Sequence, residues 1–375
     1  MSIYLDNAAT TPLDPQVLEV MLPFFNTQFG NPSSTHSFGR EAKAAVEMAR
    51  KKLAQLLNCK TNELYFTSGG TESDNFALQG AVRDLDVTRI ITSRLEHHAV
   101  LHTVEELGKK GVEIVFAKND KDGIIDIEDL ELQLKLSNKK TLVSLMHANN
   151  EIGNLISLDS VAALCKKNNT LFHSDTVQSI GHYQLDYSIQ GLNFAAAAAH
   201  KFHGPKGVGL LYMSERIAPF IHGGDQERSF KAGTENVSGI VGMAKALELA
   251  YQNMEQDRKY ICGLKTHLIE LLKNKIPKIQ FNGLSESSET ALYNIINIRL
   301  PEHDKGNMLL FALDLENISV SGGSACASGS LIGSHVLNTM NKEDQKTSLR
   351  VSLSKFNTQA EIDVFVEALI EQLYS

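Results

Sequence analysis

The stretch from Phe194 to Tyr212, FAAAAAHKFHGPKGVGLLY, decides how the chain is read. Five alanines lead to His200 and Lys201, and the run breaks at His203-Gly204-Pro205. The apolar segment Val208 to Tyr212 then predicts a strand. A lysine is ordinarily solvated, because burying an unpaired ammonium is expensive. Between an alanine wall and a Gly-Pro turn, Lys201 has little room to swing outward. An amine desolvated in this way titrates low and serves as a nucleophile toward carbonyls. A surface lysine in a loop is the competing account, and the residues on either side decide between them.

Upstream, short apolar strands alternate with helical patterns. Leu64-Tyr65-Phe66 runs into Thr67-Ser68-Gly69-Gly70-Thr71 and a helix to Gly80, and Arg89 to Thr92 leads to a helix near His98. Glu113 to Ala117, Thr141 to Met146 and Thr170 to His173 read as strands, with a helix over Leu158 to Lys167. Earlier still, Ser2 to Thr11 predicts a strand ending in turns, and Pro15 to Phe25 and Gly39 to Leu57 predict helices. Such alternation implies right-handed crossovers and a mostly parallel sheet, with ligands gathered at the carboxyl ends of its strands.

Downstream the pattern changes. Ile240 to Asn253 and Gln256 to Lys273 read as helices, Ala291 to Arg299 as a strand, and Lys305 to Leu315 as a helix. Ile318 to Ser321 is a short strand entering a loop of small residues, Ser348 to Leu353 another strand, and Ala360 to Leu373 a closing helix. The expectation is an α/β protein with a large domain over 13–254 and a smaller α+β domain built from 1–12 and 255–375.

Composition narrows the class. The chain has 375 residues, 42% of them hydrophobic and 21% charged, with a net charge of −8. That balance argues against nucleic acid as a direct partner. No apolar run reaches membrane-spanning length and no signal core opens the sequence, which makes the cytoplasm the expected location. Cys59, Cys165, Cys262 and Cys326 are scattered, without a CxxC pair, as in a reducing compartment.

Several motifs carry chemistry. Ser68 to Asp74 sits at a strand-to-helix turn, whose free amides and positive dipole end suit a phosphate; Thr71 with Asp74 also resembles a capping box. Asp175, at the end of an inner strand, is costly unless it meets a cation such as a protonated ring nitrogen, and an N-cap is the alternative. His97 can stack on a planar ligand or shuttle protons, or be a bystander. No carboxylate or cysteine falls at ligand spacing from the paired histidines, so no metal is expected. Cys326, in Ser319-Val320-Ser321-Gly322-Gly323-Ser324-Ala325-Cys326-Ala327-Ser328-Gly329, is placed to act as a thiolate nucleophile. Arg350 suits capture of a carboxylate, with a structural ion pair as the competitor.

A nucleophilic lysine, a strand-end acid and a Gly-Thr phosphate turn together meet the needs of pyridoxal 5′-phosphate. At this point the chain resembles the cysteine desulfurases of the NifS/IscS group, within the class V aminotransferase-like proteins, over almost its whole length. The resemblance rests on Tyr4-Leu5-Asp6-Asn7-Ala8-Ala9-Thr10-Thr11, Gly30-Asn31-Pro32-Ser33-Ser34, Thr71-Glu72-Ser73-Asp74-Asn75, Glu96-His97 and Asn149-Asn150-Glu151. It continues through His200-Lys201, Gly204-Pro205-Lys206-Gly207, Gly233-Thr234-Glu235-Asn236 and Gly323-Ser324-Ala325-Cys326.

It implies the fold type I of pyridoxal-phosphate-dependent transferases and a homodimer acting on L-cysteine. By the same resemblance Lys201 holds the cofactor covalently and moves protons, Asp175 pairs with the ring nitrogen, and Gln178 and Asn150 contact the phenolic oxygen side. His97 stacks on the ring. Gly70, Thr71 and His200 hold the phosphate, with Thr234 contributed by the other subunit. Arg350, helped by Asn150, binds the substrate carboxylate. Cys326 takes the sulfur as a persulfide, passes it to an iron–sulfur scaffold or another acceptor protein such as a tRNA-thiolation relay, and can serve there as a transient cluster ligand. Four positions depart from the family pattern: Ala198 stands where a phosphate-binding serine is usual, Lys231 where arginine is common, and Ser354-Lys355 where Gly-Arg is common.

Overall fold

The structure, a computed structural model, describes residues 2–188, 190–303, 306, 308–322, 334–340 and 347–374. It opens with β1 (Ile3–Tyr4), much shorter than the predicted strand because the chain turns at Asn7–Ala9. Asp14 accepts the Gln16 amide at 2.9 Å and caps α1 (Pro15–Met21). The single helix predicted to Phe25 is two: Pro23 has no amide to bond backwards, and α2 (Pro23–Asn26) restarts there. In α3 (Ser37–Leu56) the buried face Ala42, Ala45, Val46, Ala49, Leu53 follows the predicted spacing.

The strand–helix alternation is realised as β2 (Leu64–Thr67), α4 (Gly70–Asp84), β3 (Arg89–Thr92), α5 (His98–Lys109), β4 (Glu113–Phe116), α6 (Ile127–Lys135), β5 (Thr141–Ser144), α7 (Leu158–Lys167), β6 (Leu171–Asp175), β7 (Phe194–Ala198) and β8 (Gly209–Met213). Helix α6 goes beyond the expected elements. Its short apolar stripe buries Leu130 and Leu134, and Asp126 caps it by accepting the Asp129 amide at 2.9 Å. Four of the five alanines, Ala195–Ala198, lie in β7, buried on both faces, and Ala199 opens the turn that follows; alanine has no period of its own, and only a strand flanked by neighbours and covered by helices gives these four a place.

Among the described residues β2–β8 form one sheet in the order β2-β8-β7-β6-β5-β3-β4. The strands from β3 to β7 run parallel, while β8 is antiparallel to both β7 and β2. Gly209 of β8 passes directly under Gly69: a Cβ there would lie 2.6 Å from the Gly69 Cα, so a side chain would push the loop ahead of α4 off the sheet.

After the sheet comes a single turn, α8 (Gln226–Ser229), with left-handed φ of +46°, +56° and +62° at Glu227, Arg228 and Ser229. Then follow α9 (Val237–Gln252), α10 (Met254–Lys275), β9 (Gln280–Phe281), β10 (Ile295–Arg299), α11 (Met308–Leu315), β11 (Ile318–Ser319), α12 (His335–Met340), β12 (Ser348–Ser352) and α13 (Gln359–Tyr374). A second, antiparallel sheet has the order β12-β10-β9, and β1 pairs with β11 in parallel, Ile3 opposite Ile318. Ile3 and Leu5 share a core with Leu264, Leu268, Ile296, Val351 and Phe365. The N-terminal segment therefore crosses from this second core to the carboxyl ends of the large sheet.

Candidate active site

That crossing segment covers Lys201. The lysine sits on a tight turn, Ala199–Lys201, immediately after β7, and its Nζ donates to the carbonyls of Ala8 at 2.6 Å and Ala9 at 2.9 Å. The Ala8 carbonyl also accepts from Gln178 Nε2 at 3.0 Å, and the Ala8 amide donates to Ser352 Oγ at 2.8 Å. The amine is thus half-buried and held by carbonyls of the N-terminal segment, rather than walled in by alanines alone.

Around it lies a cavity of about 250 Å³. Gly70, Thr71, His97, Asn150, Asp175, Gln178, His200 and Arg350 line it together with Lys201. Thr234 does not: it is exposed, on the loop that leads into α9. Cys326 falls in 323–333 and lies outside the described residues.

Asp175 is the last residue of β6, where the sheet ends and the cavity begins. Its carboxylate accepts the Val177 amide at 2.9 Å, and no helix starts within 176–188, which removes the N-cap alternative. Burial, and then the neighbouring Asp74, push its pKa up to about 7, against the pull of the Val177 amide, His173 and Lys201. Among the described residues no lysine or arginine forms an ion pair with it.

His97 caps α5, its Nδ1 accepting the Ala99 amide at 3.1 Å. Burial first, then Lys201, hold its pKa down to about 4, so the ring is neutral at pH 7. With Nδ1 occupied as an acceptor, the ring hydrogen is assigned to Nε2.

At α4 the first intrahelical amide bond runs from Ser73 to Gly69 at 3.2 Å, so the amides of Gly70, Thr71 and Glu72 precede the helical ladder. The predicted Thr71–Asp74 capping box is absent. Gly69 is the N-cap without a side-chain bond, the Glu72 carboxylate takes the Ser68 amide at 2.5 Å, and Asp74 is buried beneath the cavity. An i, i+3 spacing fits both arrangements, and only the packing of α4 on β7 and β8 shows which side of the helix faces inward. His200 Nδ1 meets Thr10 Oγ1 at 3.2 Å, and burial, then Lys201, lower its pKa to about 4. Ala198 lines the same end of the cavity with a bare methyl group.

Arg350 is 1% exposed. Its Nη2 donates to Asp6 Oδ1 at 2.8 Å and its Nη1 to the Asn150 carbonyl at 2.8 Å, while Nε has no partner among the described residues. The structural ion pair and the carboxylate site are therefore compatible, because Asp6 fixes one edge of the fork and Nε is left over.

Residues 3–365 match the family described as aminotransferase class-V. The cysteine desulfurase IscS of Clostridium botulinum is 42% identical over 98% of this chain and 93% of its own length. The chain belongs to the class-V aminotransferase family, among the cysteine desulfurases. A solved NifS-like protein superposes with a TM-score of 0.90 at 37% identity, covering 100% of this chain and 99% of that one. The structure titled SspA in complex with cysteine gives a TM-score of 0.80 at 28% identity over 95% and 100%.

Pyridoxal 5′-phosphate is the cofactor of this family, and the residues present fit it. Among the described residues Asp175 is a buried acid with no lysine or arginine in an ion pair with it and Asn150 Oδ1 is a buried acceptor without a donor, and the opening amides of α4 border the cavity. The fold brings in further groups to which the sequence assigned no role, Asp6 on the arginine, Met146 and the buried acid Glu151, and it brings Asp74, expected as part of a cap, into the cavity lining. His98 and His335 also line it, with ring centroids 4.4 Å apart. Asp6 and Glu151 stand inside the motifs quoted above, so a signal was present; His335 carried none.

Proposed function

We propose that this cysteine desulfurase assigns its chemistry as follows, on the strength of one observation: Lys201, Asp175, His97 and Arg350 line a single cavity at the carboxyl ends of β6 and β7. When bound, the cofactor supplies an electron sink that loosens bonds at the substrate's α-carbon. Gly70, Thr71 and His200 would hold its phosphate, and Asp175 would supply the negative charge for its ring nitrogen. Asn150 and Gln178 would serve its phenolic oxygen side, and neutral His97 would serve its ring. Lys201 Nζ is the covalent anchor and moves the proton at the substrate α-carbon. Arg350 takes the L-cysteine carboxylate on its free edge. The Cys326 thiolate attacks the substrate sulfur: an S–S bond forms, the C–S bond breaks with its electron pair going to carbon, and a proton completes L-alanine. Sulfur stays on Cys326 as a persulfide, and no external oxidant is needed.

Chain reach supports the assignment of Cys326. Ser321 is bridged to Arg350, its amide donating to the Arg350 carbonyl at 3.2 Å, and Cys326 is five residues on. Five residues span up to roughly 17 Å, enough to enter the cavity or to turn outward toward an acceptor. The acceptor in this proposal is an iron–sulfur scaffold or another sulfur-carrying protein. A homodimer belongs to the same reading. Leu18, Leu22, Phe25, Phe29 and Phe38 are 43–66% exposed on and between α1, α2 and α3, a face a second copy would cover, and Thr234 would then serve the partner's phosphate. So does a division at 13–254 against 1–12 with 255–375, and a cytoplasmic setting, where a reactive thiol stays reduced.

The test mixes cofactor-loaded protein, L-cysteine and a reductant. Sulfide and alanine should appear in equal amounts, borohydride should trap the cofactor on Lys201, and Cys326→Ala should abolish both products. Undiminished alanine from Cys326→Ala would overturn the assignment of the nucleophile.

A further inference from the structure

Beneath the cavity the fold places a second acid that the proposed chemistry does not use. Asp74, on the inner face of α4, is 1% exposed and lines the cavity beside Asp175. Its Oδ1 lies 3.3 Å from His173 Nε2, and neither atom has a hydrogen-bond partner among the described residues. On the other side of the imidazole, His173 Nδ1 and Ser144 Oγ are 2.8 Å apart. His173 and Ser144 are fully buried. One helix and two neighbouring strands thus contribute a line, Asp74–His173–Ser144, running behind Asp175.

The charges around this line are few. Burial holds His173 down to about 4, so it is neutral and offers Asp74 no cation. Burial raises Asp74 well above the usual carboxylate range, and Asp74 in turn raises Asp175. Glu96, buried nearby, has one oxygen on the Met146 amide at 2.8 Å and the other without a partner among the described residues; burial and both aspartates raise it too. Lys201 is the lysine that acts on this group, and it acts on Asp175. His97 is neutral. Two carboxylates sharing a low-dielectric site do not both ionise. If Asp175 is the one that faces a ring cation, the other must hold its proton.

We infer that Asp74 is a positioning residue for Asp175: it remains a neutral acid whose O–H donates to His173 Nε2, so that the single negative charge under the ring resides on Asp175. His173 then donates from Nδ1 to Ser144 Oγ, which fixes its tautomer. Asp74 touches no reacting atom; it acts by leaving Asp175 as the only place for the charge. This inference rests on the assignment of Asp175 to the ring nitrogen.

The experiment uses the full chain loaded with pyridoxal phosphate at pH 7.5. Infrared spectra of wild-type protein carrying ¹³C-labelled aspartate should show an isotope-shifted carbonyl band of a protonated carboxylic acid. The same labelling should leave that band out of Asp74→Asn and keep it in Glu96→Gln. The visible spectrum of the bound cofactor should keep its pH midpoint in Asp74→Asn, since no charge is removed. Had Asp74 been ionised, its removal would shift the midpoint by about 1–3 units. A shift of that size, or no aspartic acid band in the labelled wild type, overturns the inference; the labelled wild type can refute it even if Asp74→Asn does not fold. Asp175→Asn separates the two readings. If it leaves the cofactor spectrum unchanged, the assignment of Asp175 fails, whereas the band at Asp74 judges Asp74 alone.

Discussion

Glu227→Gln should be among the most damaging single-atom exchanges in the chain. Arg50 and Glu227, with side chains 3% and 4% exposed, form a two-pronged pair: Nη1 to Oε2 at 2.9 Å and Nη2 to Oε1 at 2.8 Å. Glu227 Oε2 also accepts the Phe66 amide at 2.8 Å, and Arg50 Nη1 reaches the Leu64 carbonyl at 2.9 Å. Glutamine keeps the shape and removes the charge. One of its two ends becomes a donor facing other donors, and a buried guanidinium loses the buried one of its two carboxylate partners. Breaking one side of a buried pair costs about 3–5 kcal/mol, and Glu47, still on Arg50 Nε at 3.1 Å, should keep the loss near about 3 kcal/mol. The same pair restrains Glu227, Arg228 and Ser229 in left-handed backbone, which costs roughly 1–2 kcal/mol per residue. Without the clamp this turn should relax and displace the Gly233-Thr234 loop that follows it. Urea unfolding of Glu227→Gln should therefore show the full loss, and cofactor release should quicken if Thr234 serves the partner's phosphate in the proposed dimer. A loss under about 1 kcal/mol would refute the reasoning, because a buried arginine cannot lose its partner so cheaply. An Arg50→Leu, Glu227→Leu double variant should recover part of the stability, since it leaves no orphan charge.

Ala198→Ser should tighten cofactor binding, because a hydroxyl bonded to a charged phosphate contributes about 1.5–3 kcal/mol; release rates measured by dialysis that stay within a factor of about two would place the phosphate elsewhere. Arg350→Lys should raise KM for L-cysteine far more than it lowers kcat, since an ammonium cannot hold Asp6, the Asn150 carbonyl and a carboxylate together; an unchanged KM would remove Arg350 from substrate binding. Acid should destabilise the unloaded protein. His97, His147, His173, His182, His200 and His203 are each held by burial down to about 4 against an ordinary 6.5, so the unfolded chain binds protons that the fold refuses. This stability is full above pH 6.5 and is lost as pH falls toward 4, opposed in part by Asp74, Glu96, Glu151 and Asp175, whose raised pKa values keep protons on the fold. Melting curves at pH 7.5 and 5 should show the lower midpoint at pH 5, and the reverse order would mean that the buried acids dominate.

Much of this site could be read without coordinates, for a physical reason. An electron-sink cofactor needs an amine, a buried acid and an anion cup, and a parallel sheet delivers these at strand ends, where Lys201, Asp175 and Gly70-Thr71 stand in the sequence. Helix and strand periods report which residues face a core, so α3, α5, α7 and β3 lie close to where spacing puts them. The alanine run escaped this logic because a residue without polarity contrast marks no face. Helix α6 escaped it because its stripe is too short to stand out.

The sequence alone determined the kind of chemistry, since residue types and their order along the chain limit which groups can meet a cofactor. It could not determine protonation or partners, because these depend on which segments exclude water from a group and which charges face it. Tertiary packing turned Asp74 from a supposed cap into a buried acid, set Asp6 against Arg350, and laid the Ala8 and Ala9 carbonyls on the Lys201 amine. Each of these contacts joins residues from different elements, and solvent exclusion between elements is a property of the fold rather than of any segment of it.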